Sequence, residues 1–276
     1  MARTGRIINY ILLSLGLAVF LFPFWFMISN SFEKFSFTLP LPPHVFPQDF
    51  VWDNYTSFLH NPQLYSGLVN SFLITGITTL AVILVASLSA YGFARLEFPL
   101  KEAIYKLYLI TLMMPMVLAL VPQFLTLNFL GLNATRPGLI LLYAGTGVCG
   151  ATFFLRGFFE SVPMELDESV VMDGGGHFTV FFRMVFPLSS PAVATFAVLS
   201  AQGTWDDFFT AKVILGAKME LQTMPIVIQR LHGQFSTQWG LVFAASLLML
   251  LPVFVLYIFV QKKFVVGGIT AGAVKG

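Results

Sequence analysis

The sequence predicts an all-α integral membrane protein: six transmembrane helices, with a helix–turn–helix loop on the cytoplasmic side between the fourth and fifth. Three observations predict it: an apolar composition, six long stretches almost free of charge, and one acidic loop with its own helix punctuation. Of 276 residues, 57% are hydrophobic, 16% aromatic and 10% charged, against about 25% charged in an average soluble domain. Fifteen Lys and Arg with thirteen Asp and Glu cannot cover such a surface unless something other than water touches much of it. The mean hydropathy of +0.82 agrees. A single cysteine, Cys149, excludes a disulfide framework or a multi-thiolate metal site within the chain. His44, His60, His177 and His232 show no metal-ligand spacing. A net charge of +2 is too small to suggest nucleic acid as a partner.

A membrane helix needs about 20 mostly apolar residues, because the hydrocarbon core is about 30 Å thick and a helix rises about 1.5 Å per residue. The expected spans are 7–32, 68–94, 107–130, 137–156, 188–212 and 239–261. Strands would be half as long and would alternate, and no alternation is present. The first span follows Arg3 and Arg6, as a signal peptide would, but its apolar run exceeds the roughly 7–15 residues of a signal core. No small-x-small cleavage site follows it, so an uncleaved span is expected. The connection from Glu33 to Tyr65 carries Pro40, Pro42, Pro43 and Pro47, which favour extended backbone. Trp52, Tyr55 and Trp239 suit the membrane interface.

The third span contains Pro115 and Pro122, each expected to kink it; irregular backbone at membrane depth tends to line cavities. The fifth contains Gln202, Thr204, Trp205, Asp206 and Asp207. Measured from Pro191, Asp206 lies about 22 Å along the helix, in the outer part of the bilayer. Intramembrane carboxylates usually face inward and work, although contact with external water would explain these equally. Charge sets orientation. Arg3, Arg6, Arg95, Lys101, Lys106, Arg156, Arg183, Lys262, Lys263 and Lys275 fall on the side of both termini, with five basic residues opposite. Both termini are therefore expected in the cytoplasm.

The loop 157–187 departs from that bias, gathering Glu160, Glu165, Asp167, Glu168 and Asp173. Ser161 and Pro163 mark a helix start, with Glu165 in the first turn where the macrodipole favours a carboxylate. Gly174–Gly176 can supply the left-handed residue that ends it. Phe178, Phe181, Phe182 and Val185 then recur on one face of a second helix, which Pro187 should stop. The loop is either a solvated acidic surface or a docking element for a cytoplasmic partner. The tail 262–276, with almost no core-forming residues after Val266, is expected to be flexible alone.

The run from Glu168 through Asp173, Gly174 and Gly175, with Phe182, Val185 and Pro187-Leu188 following, resembles the EAA loop of ABC importer permeases. Ser169, Val170 and Gly175 stand where that family has alanines. Asn70-Ser71-Phe72, Ala90-Tyr91 with Ala94-Arg95-Leu96, and Trp205-Asp206-Asp207-Phe208 are similar to its carbohydrate branch; Asp206 replaces an asparagine. Gly233–Thr237 with Trp239-Gly240, and the tail Gly268–Gly276, are similar again. The whole chain is most similar to the maltose-transporter-type permease subunit.

That resemblance implies the type I ABC importer permease fold in a single permease domain over 1–276. It implies a non-catalytic inner-membrane subunit of a bacterium or archaeon, importing a sugar or oligosaccharide delivered by an extracytoplasmic binding protein. It also implies a heterodimer with a second permease, and coupling to an ATPase dimer through Glu165, Glu168, Met172, Asp173, Gly174, Gly175, Phe182 and Pro187. Pro115, Pro122, Gln202, Thr204, Trp205, Asp206 and Asp207 would line the pathway, while Thr270, Gly272 and Lys275 would reach the ATPases. The sequence has no G-x-x-x-x-G-K-[ST] phosphate loop, so no cofactor is expected on this chain, and ATP with Mg²⁺ would belong to the partner. A membrane-embedded lipid-modifying enzyme or an ion-coupled secondary transporter are the rival readings.

Overall fold

The computed structural model describes residues 2–34, 44–232 and 237–273, with side chains from Gly5 to Phe259 within those ranges. Pro40, Pro42, Pro43, Gly233–Ser236 and Lys275 lie outside the described residues, as do the side chains of Thr270 and Gly272. In chain order the helices are α1 (Ala2–Ser31), α2 (Asp53–His60), α3 (Pro62–Arg95), α4 (Lys101–Met113), α5 (Met116–Phe129), α6 (Arg136–Glu160), α7 (Met164–Met172), α8 (His177–Val180), α9 (Phe186–Leu188), α10 (Ser190–Asp206), α11 (Phe209–Leu215), α12 (Met224–Leu231) and α13 (Trp239–Ala273). A π-helical turn, Phe181–Val185, joins α8 to α9. No strand is formed among the described residues, only isolated bridges.

Four helices are long and apolar enough to cross a membrane, and up to six spans result if each of two bent pairs counts as one. The first bent pair is the expected third span. It is two helices, α4 and α5, at 109° to each other, rather than one kinked rod. Proline has no amide hydrogen and disfavours the helical conformation in the residue before it. Met114 accordingly sits at ψ 125°, and Pro115 starts α5. Pro122 lies inside α5 and does not end it.

The second bent pair joins His177–Leu188 to α10 at 76°. Pro187 was expected to stop the preceding helix; the helix instead reaches Leu188, and the bend falls at Ser189. A proline inside a helix forfeits one hydrogen bond, and the π turn just before Pro187 places the irregularity there. The expected fifth span, 188–212, also divides, with α10 ending at Asp206 and α11 beginning at Phe209. The helix of the sixth span, α13, runs to Ala273, so the boundary expected at 261 falls inside it.

The chain forms two compact units, 1–68 with 224–252 and 69–223 with 253–276. In the first, Phe58, Leu64, Met224, Val227, Leu241 and Ala245 make the core. Helix α12 approaches α3 so closely that a Cβ on Gly67 would lie 2.8 Å from Val227 Cγ2. Asn54 is buried and donates to the carbonyls of Ser31 at 2.9 Å and Glu33 at 2.8 Å, holding the end of α1 on α2. Phe32 stacks on Phe50 at 4.7 Å with Trp52 edge-on. In the second unit the core collects Val82, Ala86, Tyr91, Leu155, Phe159, Phe181 and Val185. Its small residues let α3 and α6 come close, as in membrane helix packing generally.

Candidate functional site

The acidic loop is built as its sequence suggests, with corrections. Pro163 opens α7, and Glu165 and Asp167 occupy its first turn, where the free amide hydrogens favour carboxylates. Ser161 does not cap α7; it ends α6, its hydroxyl bonding back to the Phe158 carbonyl at 2.7 Å. Gly174 takes φ +83° and supplies the left-handed residue. The amide of Gly174 donates to Val171 O and that of Gly175 to Val170 O, both at 2.9 Å. This is the paired termination that satisfies the last carbonyls of a helix.

Two of the three departures from the alanine pattern, Val170 and Gly175, lie against each other. A Cβ on Gly175 would lie 2.6 Å from Val170 Cγ1 and 2.8 Å from Val170 O. The bulk added at 170 is thus accommodated by the bulk removed at 175.

No residue of helix α7 is fully buried; Leu166, Asp167 and Val170 are half-buried. Glu165, Glu168, Met172, Asp173 and Gly174 are all exposed, Met172 by 87%. What ties α7 to the spans is Arg95, the last residue of α3. Its Nε lies 2.9 Å from Asp167 Oδ2, with both side chains largely buried. Its other nitrogens donate to the Val162 carbonyl and, at 3.1 Å, to Met164 Sδ. Asp167 was not among the expected site residues, because only the fold brings Arg95 beside it. These groups, with Tyr91, Glu168, Met172 and His177, line a hollow of about 370 Å³ under the helix.

Beyond the glycine turn the expected aromatic face splits. Phe181 and Val185 are buried, whereas Phe178 and Phe182 are exposed. A regular helix would place all four together, but the π turn shifts the register after Val180. Pro187 is exposed beside them.

The residues grouped in the fifth span separate into three roles. Gln202 and Asp206 are exposed and stand one turn apart on α10; Thr204 is half-buried. Trp205 is buried and meets Phe72 edge-on at 4.9 Å, so its ring packs the interior instead of forming a wall. Asp207 holds structure: its carboxylate accepts from the Tyr143 hydroxyl and from the Ala211 amide at 3.0 Å, capping α11. Pro115 and Pro122 are exposed along α5.

A further polar cluster was not foreseen. Asn70, fully buried, donates to the carbonyls of Glu220 and Gln222, each at 2.9 Å, and accepts from Arg136 Nε at 2.8 Å. It clasps the segment after α11 to the starts of the second and fourth spans. Among the described residues no group of His, Cys, Asp and Glu gathers as metal ligands.

Known proteins resemble this chain over its full length. A model of the family described as "Binding-protein-dependent transport system inner membrane component" matches residues 82–262. The chain is 31% identical over 273 residues to the sulfoquinovosyl glycerol transport system permease protein of Agrobacterium fabrum, covering 99% of this chain and 95% of that one. It is 30% identical over 276 residues to the melibiose/raffinose/stachyose import permease protein of Bacillus subtilis, covering 99% and 98%. Its fold matches a chain of a bacterial ABC transporter that imports alginate, with a TM-score of 0.81 at 21% identity over 96% of this chain and 99% of that chain.

Proposed function

Because the chain belongs to the family of binding-protein-dependent transport system inner membrane components, and is a multi-pass permease subunit of such an importer, we propose that it carries a sugar or oligosaccharide. Both relatives named above are permeases for glycosides, which supports that substrate class. The pathway would form against a second permease, with Gln202 and Asp206 as its hydrogen-bonding groups on this side and Pro115 and Pro122 shaping α5. Exposed hydroxyl-bonding side chains suit a ligand rich in hydroxyls.

The observation that carries the mechanism is the exposed loop around α7. An acidic helix with no fully buried residue, ended by a glycine turn and flanked by exposed Phe178 and Phe182, is a surface made to be covered. Its occupant in this reading is the ATPase subunit, which supplies ATP, Mg²⁺ and hydrolysis, while this chain does no chemistry. Glu165, Glu168, Met172, Asp173 and Phe182 would make the contact, and Gly174, Gly175 and Pro187 would set its shape. Thr270, Gly272 and Lys275 in the tail would add a second contact. Both termini then face the cytoplasm, as the ten-to-five distribution of Lys and Arg favours.

The test is a detergent pull-down of this chain expressed with its genomic neighbours. The native chain should retain an ATPase and a second permease, and Glu168→Lys with Gly174→Pro should lose the ATPase while keeping the second permease. A native chain that retains no ATPase would remove the importer assignment.

A further inference from the structure

The importer reading leaves open how a displacement of α7 reaches the spans. No residue of α7 is fully buried, so apolar packing of its own carries little of the load. Of its half-buried apolar residues, Leu166 and Val170, Val170 packs against the core of this unit. The polar connection is far better defined. One guanidinium, Arg95, holds the Val162 carbonyl just before α7, Met164 Sδ at its start and Asp167 in its first turn. Arg95 is also the terminal residue of the 34-residue helix α3, a rod of about 51 Å at the usual rise per residue. The planar, five-donor guanidinium directs two of its nitrogens to Val162 and Met164 by hydrogen bonds, while Nε meets Asp167 as a charge contact.

We infer that Arg95 and Asp167 are the positioning pair through which motion of α7 is transmitted to the second span. This rests on the importer reading and deepens it. The pair touches neither substrate nor nucleotide; it acts through the two helices it joins. Its surroundings support a movable rather than a saturated joint. Among the described residues Arg95 Nε, Asp167 Oδ1 and the Tyr91 hydroxyl are all buried without a hydrogen-bond partner, so the pair is a close ion contact and not an aligned hydrogen bond, and Arg95, Asp167 and Tyr91 line the same hollow of about 370 Å³. The carboxylate therefore keeps an unused acceptor, with room beside it, while Oδ2 stays on Arg95.

The experiment uses the whole complex in proteoliposomes. Cys149→Ser removes the native thiol, and single reporter cysteines replace Leu73, Leu80 or Leu84, all exposed on α3. Maleimide labelling is compared with and without ATP plus vanadate. With the native pair, ATP changes the labelling. Arg95→Asp and Asp167→Arg each should keep the ATPase bound and hydrolysing but cut that response about fivefold or more, the lower end of ordinary coupling. The double exchange, Arg95→Asp with Asp167→Arg, should restore most of it. A full response in either single variant, or no recovery in the exchange, overturns the pair's role. Should a reversal block assembly, Asp167→Asn keeps the shape without the charge, and an unaltered response there overturns it equally. A native complex that binds no ATPase, or whose reporters ignore ATP, defeats the importer reading itself.

Discussion

Gly175 and Val170 show how two side chains decide a local geometry together. With a methyl group at 175 the nearest neighbours would be Val170 Cγ1 at 2.6 Å and Val170 O at 2.8 Å. Gly175→Ala should therefore destabilise the loop by about 1–3 kcal/mol, as overpacking does, and Val170→Ala should recover part of the loss. Thermal unfolding in detergent measures this; strictly additive effects of the two changes would sink the coupling. Asp206 and Asp207 are adjacent in sequence and opposite in role. Asp207 accepts from Tyr143 and caps α11, so Asp207→Ala should cost about 1–2 kcal/mol, in the range for a lost cap. Asp206→Ala should leave the unfolding temperature within a degree or two and alter uptake instead. Equal thermal effects at both positions would contradict this division. Gly174 could be assigned from sequence, because a left-handed helix stop is a local requirement. The role of Asp207 could not, because Tyr143, 64 residues earlier, defines it.

Among the elements, the α4–α5 break is the one most directly traceable to a single residue. Met114 at ψ 125° and the 109° turn follow from what Pro115 forbids. Pro115→Ala lifts the prohibition and should let the two helices straighten. Spin labels at Thr111 and Leu125 should then separate towards about 21 Å, the length of fourteen helical residues. An unchanged distance distribution would mean that packing of α4 on α6, including Arg156 over the Tyr105 ring at 4.0 Å, holds the bend without the proline. Proline content alone did not distinguish Pro115 from Pro122, which ends nothing. Helices α2 and α12 have no counterpart among the expected spans. Each has eight residues, too few for periodicity to stand out from a loop. The signal for α12 was nonetheless present, with Pro225 in the first turn and Arg230 in the last.

At the scale of the molecule, α1 is hydrophobic around its circumference, and no residue of its most apolar stretch is buried within the chain. A helix of that kind belongs in lipid or against another membrane helix, which fits a subunit that completes itself by association. The proposed orientation makes a prediction at the same scale. In a Cys149→Ser background, a cysteine at Lys218 should react with an impermeant maleimide from outside intact cells, and one at Met172, 87% exposed, only after permeabilisation. The opposite pattern would reverse the topology and remove α7 from reach of a cytoplasmic ATPase.

The sequence by itself determined that the chain lives in a membrane, roughly where its spans lie, and that an acidic helix with a glycine stop protrudes between the fourth and fifth. Those features depend on composition, run length and one left-handed residue, all of which are local. Only the tertiary structure decided which polar groups are joints and which are free. Arg95 with Asp167, Asn70 with Arg136, and Tyr143 with Asp207 are separated by more than 60 residues in each case. It also decided that the π turn before Pro187 breaks the register between Phe178 and the residues after it, so that Phe178 and Phe182 are exposed while Phe181 and Val185 stay inside. The physical reason is common to all of these. A buried polar group must find a partner wherever the fold provides one, and a shifted helical register alters the face that every later side chain presents.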